Sequence, residues 1–219
     1  MQTDQDLLGN FPGLRVVEFE IRNLVVKRSD PRLEEFKKKK SQEIREKFKS
    51  LDDIKNYPVF RAYRDFYWKV GIDPTKTRPA GEALARKILG GRELPTINTF
   101  VDSYNIASAE SAVAIATFDL ASISKDSLRM RKAVTGEWFL GIGMGSPVVL
   151  SGVEVVIEDE VARNLIAVYP YRDSDGSKVT EKSCDVLMMM CGVPGIADFD
   201  LELARKLSVE YVEEYCEFR

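Results

Sequence analysis

Apolar and polar residues alternate along part of LRVVEFEIRNLVV (Leu14 to Val26), the period-two pattern of a strand with one covered face. Past Ser29-Asp30-Pro31, a helix-start signal with proline in the first turn, the spacing changes. Leu33, Phe36, Ile44, Phe48 and Leu51 fall at helical intervals over residues 32–51, with Lys40 interrupting the stripe. VFRAYRDFYWKVG (Val59 to Gly71) predicts a second helix whose core face carries Phe60, Tyr63, Tyr67 and Trp68. Asp73-Pro74 marks a turn, and Thr77-Arg78-Pro79 opens a third helix, GEALARKILGG, closed by its glycines.

The later half changes character. Short apolar runs (EWFLGIGMG, PVVLSG, VEVVIEDE, NLIAVYPY and CDVLMMMCG) are separated by glycines and polar turns, Ser174-Asp175-Gly176-Ser177 being the strongest turn signal. The end, FDLELARKLSVEYVEEYCEF, returns to helix with Leu201, Ala204, Leu207, Tyr211 and Tyr215 in a stripe. Helices gathered early and strands gathered late predict the α+β class. With no repeat, linker or clear break, one domain over residues 1–219 is expected.

INTFVDSYN (Ile97 to Asn105) departs from the apolar pattern in an informative way. On a helix Asn98, Asp102 and Asn105 stand at i, i+4 and i+7 and share a face. Buried polar groups need partners. Two readings follow: the three bond neighbouring backbone, or they line a cleft for a polar ligand.

Composition narrows the chemistry. At 219 residues, 44% apolar and 31% charged, the chain fits a globular domain that buries roughly 70–75% of its unfolded surface. No uncharged apolar run of about 18 residues occurs, so no membrane segment is expected. The N-terminus has no secretory pattern, and a cytoplasmic location is the default expectation. A net charge of −3 argues against a general nucleic-acid coat, leaving RNA contact local. The run Lys37-Lys38-Lys39-Lys40 reads first as a solvated helix face balanced by Glu34, Glu35, Glu43 and Glu46, with RNA phosphates as the alternative.

There is no histidine, hence no imidazole base, no Ser-His-Asp triad and no HExxH zinc site. Cys184, Cys191 and Cys216 form no CxxC pair and read as small buried or half-buried thiols. GIGMG (Gly141 to Gly145) lacks the remaining features of a dinucleotide or P-loop site and reads as a turn. VIEDE (Val156 to Glu160) reads as a turn between strands rather than a set of metal ligands. No cofactor and no metal are implied.

LPTINTFVDSYNIASAESAVAIATFD, followed by RKAVTGEWF and RDSDGSKVTEKSCDVLMMM, resembles the B3/B4 domain of the phenylalanyl-tRNA synthetase β chain. It is most similar to free-standing B3/4 proteins that lack the rest of that synthetase. The resemblance runs from Pro58 to Gly192 and centres on P-x-x-N-x-x-x-D-x-x-N with the later Phe118-Asp119. It implies an α+β editing module that hydrolyses the ester of a wrongly attached amino acid. It further implies an amino-acid-sized pocket beside the tRNA 3′ end.

Carried over residue by residue, Asn105 is a pocket asparagine, Arg172, Asp173 and Ser174 line the wall opposite, and Asn98 and Asp102 brace the pocket. Asn105 and Asp173 are the catalytic candidates. Asn98, Asp102, Tyr104, Arg172, Ser174 and Met189 are the substrate-binding ones. The departures are pointed. Bacterial members carry threonine at the position of Tyr104, histidine at that of Ala116, and a tyrosine-reading glutamate at that of Met189.

Three readings therefore stand. One is an aminoacyl-tRNA editing-like hydrolase acting in trans. Another is a non-catalytic module that binds an amino acid, a nucleotide or an RNA end in the same pocket. The last is an interaction protein that docks through its aromatic and basic helices. The partner implied by the first two is the tRNA 3′ end, an aminoacyl-tRNA or a free amino acid.

Overall fold

The computed structural model describes all residues 1–219. In chain order the elements are β1 (Gln2–Thr3), α1 (Gln5–Asn10), β2 (Arg15–Ile21), β3 (Leu24–Val25), α2 (Pro31–Lys47), α3 (Leu51–Asn56), α4 (Pro58–Lys69), α5 (Ala80–Leu89), α6 (Thr99–Ser111), β4 (Ile115–Asp119), β5 (Leu128–Lys132), β6 (Trp138–Phe139), β7 (Val148–Val149), β8 (Val155–Asp159), β9 (Asn164–Tyr169), β10 (Arg172–Asp173), β11 (Val186–Gly192), α7 (Asp198–Tyr215) and β12 (Glu217–Phe218). The class is α+β, with early helices, late strands and a C-terminal helix.

A five-stranded sheet runs β1-β5-β8-β9-β10, antiparallel except for the parallel β1–β5 pair. A three-stranded antiparallel sheet runs β2-β11-β4. Its central strand, β11, is buried at all seven positions, which is why VLMMMCG is a continuous apolar run rather than an alternating one. Two ribbons, β3–β12 and β6–β7, complete the set. One core of 49 buried residues joins the helices to both sheets, and a satellite of five, around Phe139 and Val168, fills the space under the β6–β7 arm.

Local chemistry explains most boundaries. Asp30 caps α2 by accepting from Arg32 N–H at 2.7 Å, with Pro31 at the first helical position. The helix expected to reach Leu51 stops at Lys47, because Ser50 and Asp53 form a capping box that starts α3. Leu51 is accordingly exposed. The strand expected over 14–26 breaks at Asn23, which takes a left-handed φ of 58°. In α4, Phe60, Tyr63, Phe66 and Tyr67 face the core, whereas Trp68, expected among them, points to solvent at 57% exposure. Helical rotation of about 100° per residue carries it past the buried arc. The α4 aromatics are therefore core, and among those named only Trp68 is available for docking.

The four-lysine run is also not one solvated face. Lys38 and Lys39 are exposed, but Lys37 is buried and Lys40 half-buried. Lys40 pairs with Glu43 at 2.9 Å and Glu110 at 3.1 Å, and lies over the Phe36 and Tyr211 rings. Lys37 donates to Asp102 Oδ2 at 3.1 Å, Glu34 Oε1 at 2.9 Å, Pro95 O at 2.9 Å and Thr96 Oγ1 at 3.0 Å. The other Asp102 oxygen accepts from Ile97 N–H at 3.0 Å, so one carboxylate ties the 95–97 segment and α2 to the start of α6. Burial raises the Asp102 carboxyl from its ordinary value, against the Ile97 N–H and Lys37, which lower it.

Removing one partner of a buried pair strands the other charge. Asp102→Asn should lower unfolding free energy by about 3–5 kcal/mol, read as a reduced urea midpoint at unchanged slope. An Asp102→Asn protein as stable as the wild type would show that solvent reaches Lys37.

Candidate functional site

A hollow of about 150 Å³ opens where α6, the β4 and β11 strands and the β9–β10 turn meet. Tyr104 and Asn105 reach it from α6, and Ala114, Ile115 and Ala116 from the start of β4. Cys191 comes from β11, and Tyr169 through Asp173 come from the turn, which includes a cis Tyr169–Pro170 bond. Exposed Ala80, at the start of α5, stands on its lip.

Three tyrosine hydroxyls hold these separate segments in place. Tyr63 donates to Cys191 O at 2.5 Å and accepts from Ala114 N–H at 3.0 Å, joining two lining segments through one oxygen. Tyr67 donates to Pro170 O at 3.4 Å. Tyr169 lies within 3.0 Å of Gly192 O and 3.1 Å of Arg15 O. Each hydroxyl thus bonds backbone of a segment that borders the hollow. Helix α5 approaches α6 closely at Gly81, where a Cβ would stand 2.9 Å from Ser108 O.

The polar groups of α6 divide by what they already bond. Asn98 caps the helix, its side chain accepting from Val101 N–H at 2.9 Å, and Asp102 is engaged as described. Asn105, half-buried, makes no side-chain hydrogen bond within the protein and lines the hollow. Beside it the Tyr104 ring packs edge-on to Phe100 at 5.5 Å, and burial raises its phenol well above the ordinary value.

Asp173 is the chemically distinctive group. Its Oδ2 accepts from Thr117 N–H at 3.2 Å, and no cation is paired with it. Burial pushes its carboxyl up to about 7, and that single backbone N–H opposes the shift only weakly. The residue keeps partial solvent exposure, so the carboxyl is desolvated without being sealed off.

Arg172 does not neutralise it. Its Nη1 donates to Ile142 O at 2.5 Å and its guanidinium lies 5.0 Å from the Tyr171 ring centre. The Arg172 stem occupies the place of a side chain at Gly141, where a Cβ would meet Cδ at 2.4 Å. Gly141 thus forms the wall of an arginine slot and is itself bridged to Ser174. Arg172 Nε is buried without a partner.

Of the residues singled out from sequence, Tyr104, Asn105, Arg172 and Asp173 come together on this hollow, as does Ala116. Asn98, Asp102, Ser174 and Met189 do not line it. Met189 is fully buried in β11, in register with Ala116 and Glu18. Ser174 lies just past the end of β10, where its hydroxyl caps Gly176 N–H at 3.2 Å. It lines a wider depression of about 550 Å³ with Glu137, Glu158 and Asp175. That depression is larger, but Glu137 and Glu158 are both paired with Arg131 at 2.5 Å, and Asp175 with Lys178 at 2.8 Å. In the smaller hollow the uncommitted pair is a carboxyl and a carboxamide, Asp173 and Asn105.

Cys191 and the tyrosines were not singled out as site residues. Cys191 sits in a continuous apolar run with no local mark, and burial holds its thiol far above the ordinary range. In VIEDE, Asp159 is buried and accepts from Ser124, Val161 and Ala162 N–H and Ser127 Oγ, so it organises a turn.

The family described as the B3/4 domain matches residues 62–215, about two thirds of the chain. The chain belongs to the B3/4 domain family. The match takes in α7, beyond Gly192 where the resemblance read from sequence ends. No curated protein matches it in sequence. Among solved structures, this B3/4 chain is similar to an N-terminal fragment of the phenylalanyl-tRNA synthetase β-subunit from Pyrococcus horikoshii. Identity is 15%, and the alignment covers 98% of this chain and 48% of that one, with a TM-score of 0.48. The B3/4 chain thus spans about half of that fragment, and a likeness of this degree carries no functional argument. No helix is long and apolar enough to cross a membrane.

The raised Asp173 carboxyl has a stability consequence. Folding binds its proton more tightly, so between the ordinary 3.8 and about 7 the unfolded chain ionises while the folded one does not. Its contribution to stability therefore falls as pH rises through that window. Asp173→Asn removes the penalty, by at most about 4 kcal/mol above neutrality. Melting temperatures at pH 4.5 and pH 8 should show the variant gaining on wild type much more at the higher pH. Equal gains at both would place the carboxyl in water.

Proposed function

We propose that the hollow receives the aminoacyl group of an aminoacyl ester, in the first instance at the 3′ end of a mischarged tRNA, and that the protein hydrolyses the ester in trans. The observation that supports this reading is the meeting of two uncommitted groups on one small cavity: the Asn105 carboxamide and the Asp173 carboxyl. Membership of the B3/4 family, whose name is shared with a domain of the synthetase β chain, is consistent with it.

The chemistry follows from their types. The Asn105 amide donates to the ester carbonyl oxygen, where negative charge develops. Asp173, as carboxylate, takes a proton from a water that attacks the carbonyl carbon. The carbon–oxygen ester bond breaks, the ribose oxygen leaves with a proton, and the amino acid is released. A carboxyl that titrates near 7 is matched to this work at neutral pH, and a positioned base contributes about 10²–10⁴-fold.

One observation favours a second reading, capture without turnover. The chain has no histidine, and its Arg172 guanidinium is held by Ile142 O rather than offered to the ester. The same pocket then retains an amino acid or the RNA end.

A panel of mischarged tRNAs separates the two. Hydrolysis should show a rate that rises with pH through about 7, as Asp173 ionises. Asp173→Asn should lower kcat by about 10²–10⁴-fold while leaving substrate affinity within a few-fold. Asn105→Ala should lower kcat by about 10²–10³-fold in a folded protein. Retention of the RNA or amino acid with no release by wild type establishes the second reading. Neither retention nor release defeats both.

A further inference from the structure

We propose that the outer face of α4 and the start of α5 form a docking surface for the phosphate backbone of an RNA, placed to hold the strand whose 3′ end enters the hollow. This names a contact region beyond the proposed site, and it rests on that reading for the identity of the strand.

Charge is spread unevenly along the chain. Residues 58–92, which hold α4 and α5, carry eight lysines and arginines against three acidic residues, a net +5. The whole chain stands at −3, so the remainder carries −8. A polyanion is therefore drawn to this layer and repelled by the rest.

At the centre of the layer is an unbalanced ion cluster. Fully buried Glu82 accepts from Arg64 Nη1 at 3.0 Å and from Arg86 Nε at 2.7 Å. One carboxylate between two guanidiniums leaves one positive charge over. Arg64 Nη2 and both Nη atoms of Arg86 bond nothing within the protein and still reach solvent. A guanidinium fork of this kind matches the oxygens of a phosphate.

The neighbours extend the cluster into a surface. Arg64 Nη1 also lies 3.4 Å from Pro74 O, which brings the loop before α5 against α4. Arg78 of that loop and Arg61, one helical turn before Arg64, are exposed and make no ion pair or side-chain hydrogen bond. Trp68, one turn beyond Arg64 on the same stripe, is 57% exposed. An aromatic face among cations stacks a base while the phosphates are held. Asp65 is the one acid on this stripe. The surface runs into the hollow at Ala80, which stands on the lip two residues from both Arg78 and Glu82.

The probe is a fluorescein-labelled acceptor-stem hairpin of a tRNA with its single-stranded 3′ end. Its anisotropy is followed with the full chain between about 50 and 200 mM salt. Wild type should bind with log K falling linearly in log salt concentration. Arg61→Gln combined with Arg78→Gln breaks no bond within the protein. It should weaken binding by about tenfold or more at the lowest salt and flatten the slope by about 1.5. Trp68→Ala should weaken binding about tenfold at an unchanged slope. Lys38→Gln combined with Lys39→Gln, exposed on α2, should change binding by less than about twofold. On a mischarged tRNA that the wild type hydrolyses, the double arginine variant should raise KM and leave kcat unchanged.

No binding of the hairpin at the lowest salt would overturn the surface. So would a double arginine variant that binds it as wild type does. Polyglutamate bound as tightly as the hairpin would mark a surface for acidic protein and overturn the assignment to RNA. In each case hydrolysis of the ester by wild type leaves the proposed function standing. Hairpin binding governed by the two arginines, with no ester released, upholds the surface and leaves capture as the role of the hollow.

Discussion

The buried contact between Lys37 and Asp102 is the constraint on which the placement of the site depends. Asp102 lies one helical turn before Asn105, and its carboxylate holds the segment before α6 and the lysine of α2 together. Two charges withdrawn from water tolerate little displacement, because each has lost the solvent that would replace its partner. The direction in which α6 leaves its cap, and hence where Asn105 points, is set by this pair rather than by apolar packing alone. The signature asparagines and aspartate of the chain thus divide their labour. Asn98 and Asp102 build the platform, and Asn105 is presented by it.

Opposite that platform, the hollow is held open by hydroxyls. The segments that line it come from distant parts of the chain: β4 and β11 share a ladder, but no ladder ties them to the β9–β10 turn. Tyr63, Tyr67 and Tyr169 do so by satisfying carbonyls and an N–H at the points where sheet bonding stops. Their rings belong to the core, and their oxygens belong to the architecture of the site.

The fold was legible from the sequence wherever the signal was local. A cap signal with proline announced α2 and α5, helical spacing announced α4, and the apolar run CDVLMMMCG announced a strand. The end of α2 was missed because the capping box at Ser50 lies inside a continuous apolar stripe. Lys37 was missed because four consecutive lysines look alike until tertiary packing buries one of them. For the site, the residues alone revealed a polar row on α6 but not which member was free. Family resemblance supplied Tyr104, Arg172 and Asp173, which the structure gathers on the hollow, together with Ser174 and Met189, which it does not. Ser174 is taken up in capping the turn that follows β10, and full coverage of β11 hides Met189. Cys191 and the tyrosine hydroxyls left no mark in the sequence, since their part is defined by segments far apart along it.

Imidazole normally dominates proton exchange around neutrality, and this chain has none. The desolvated carboxyl of Asp173 consequently titrates against a quiet background. Its protonated C=O stretch should stand clear of ionised carboxylates in an infrared difference spectrum taken across pH 7. Occupancy of the cavity, by whatever displaces its water, would then be read directly from the band of a single unlabelled residue.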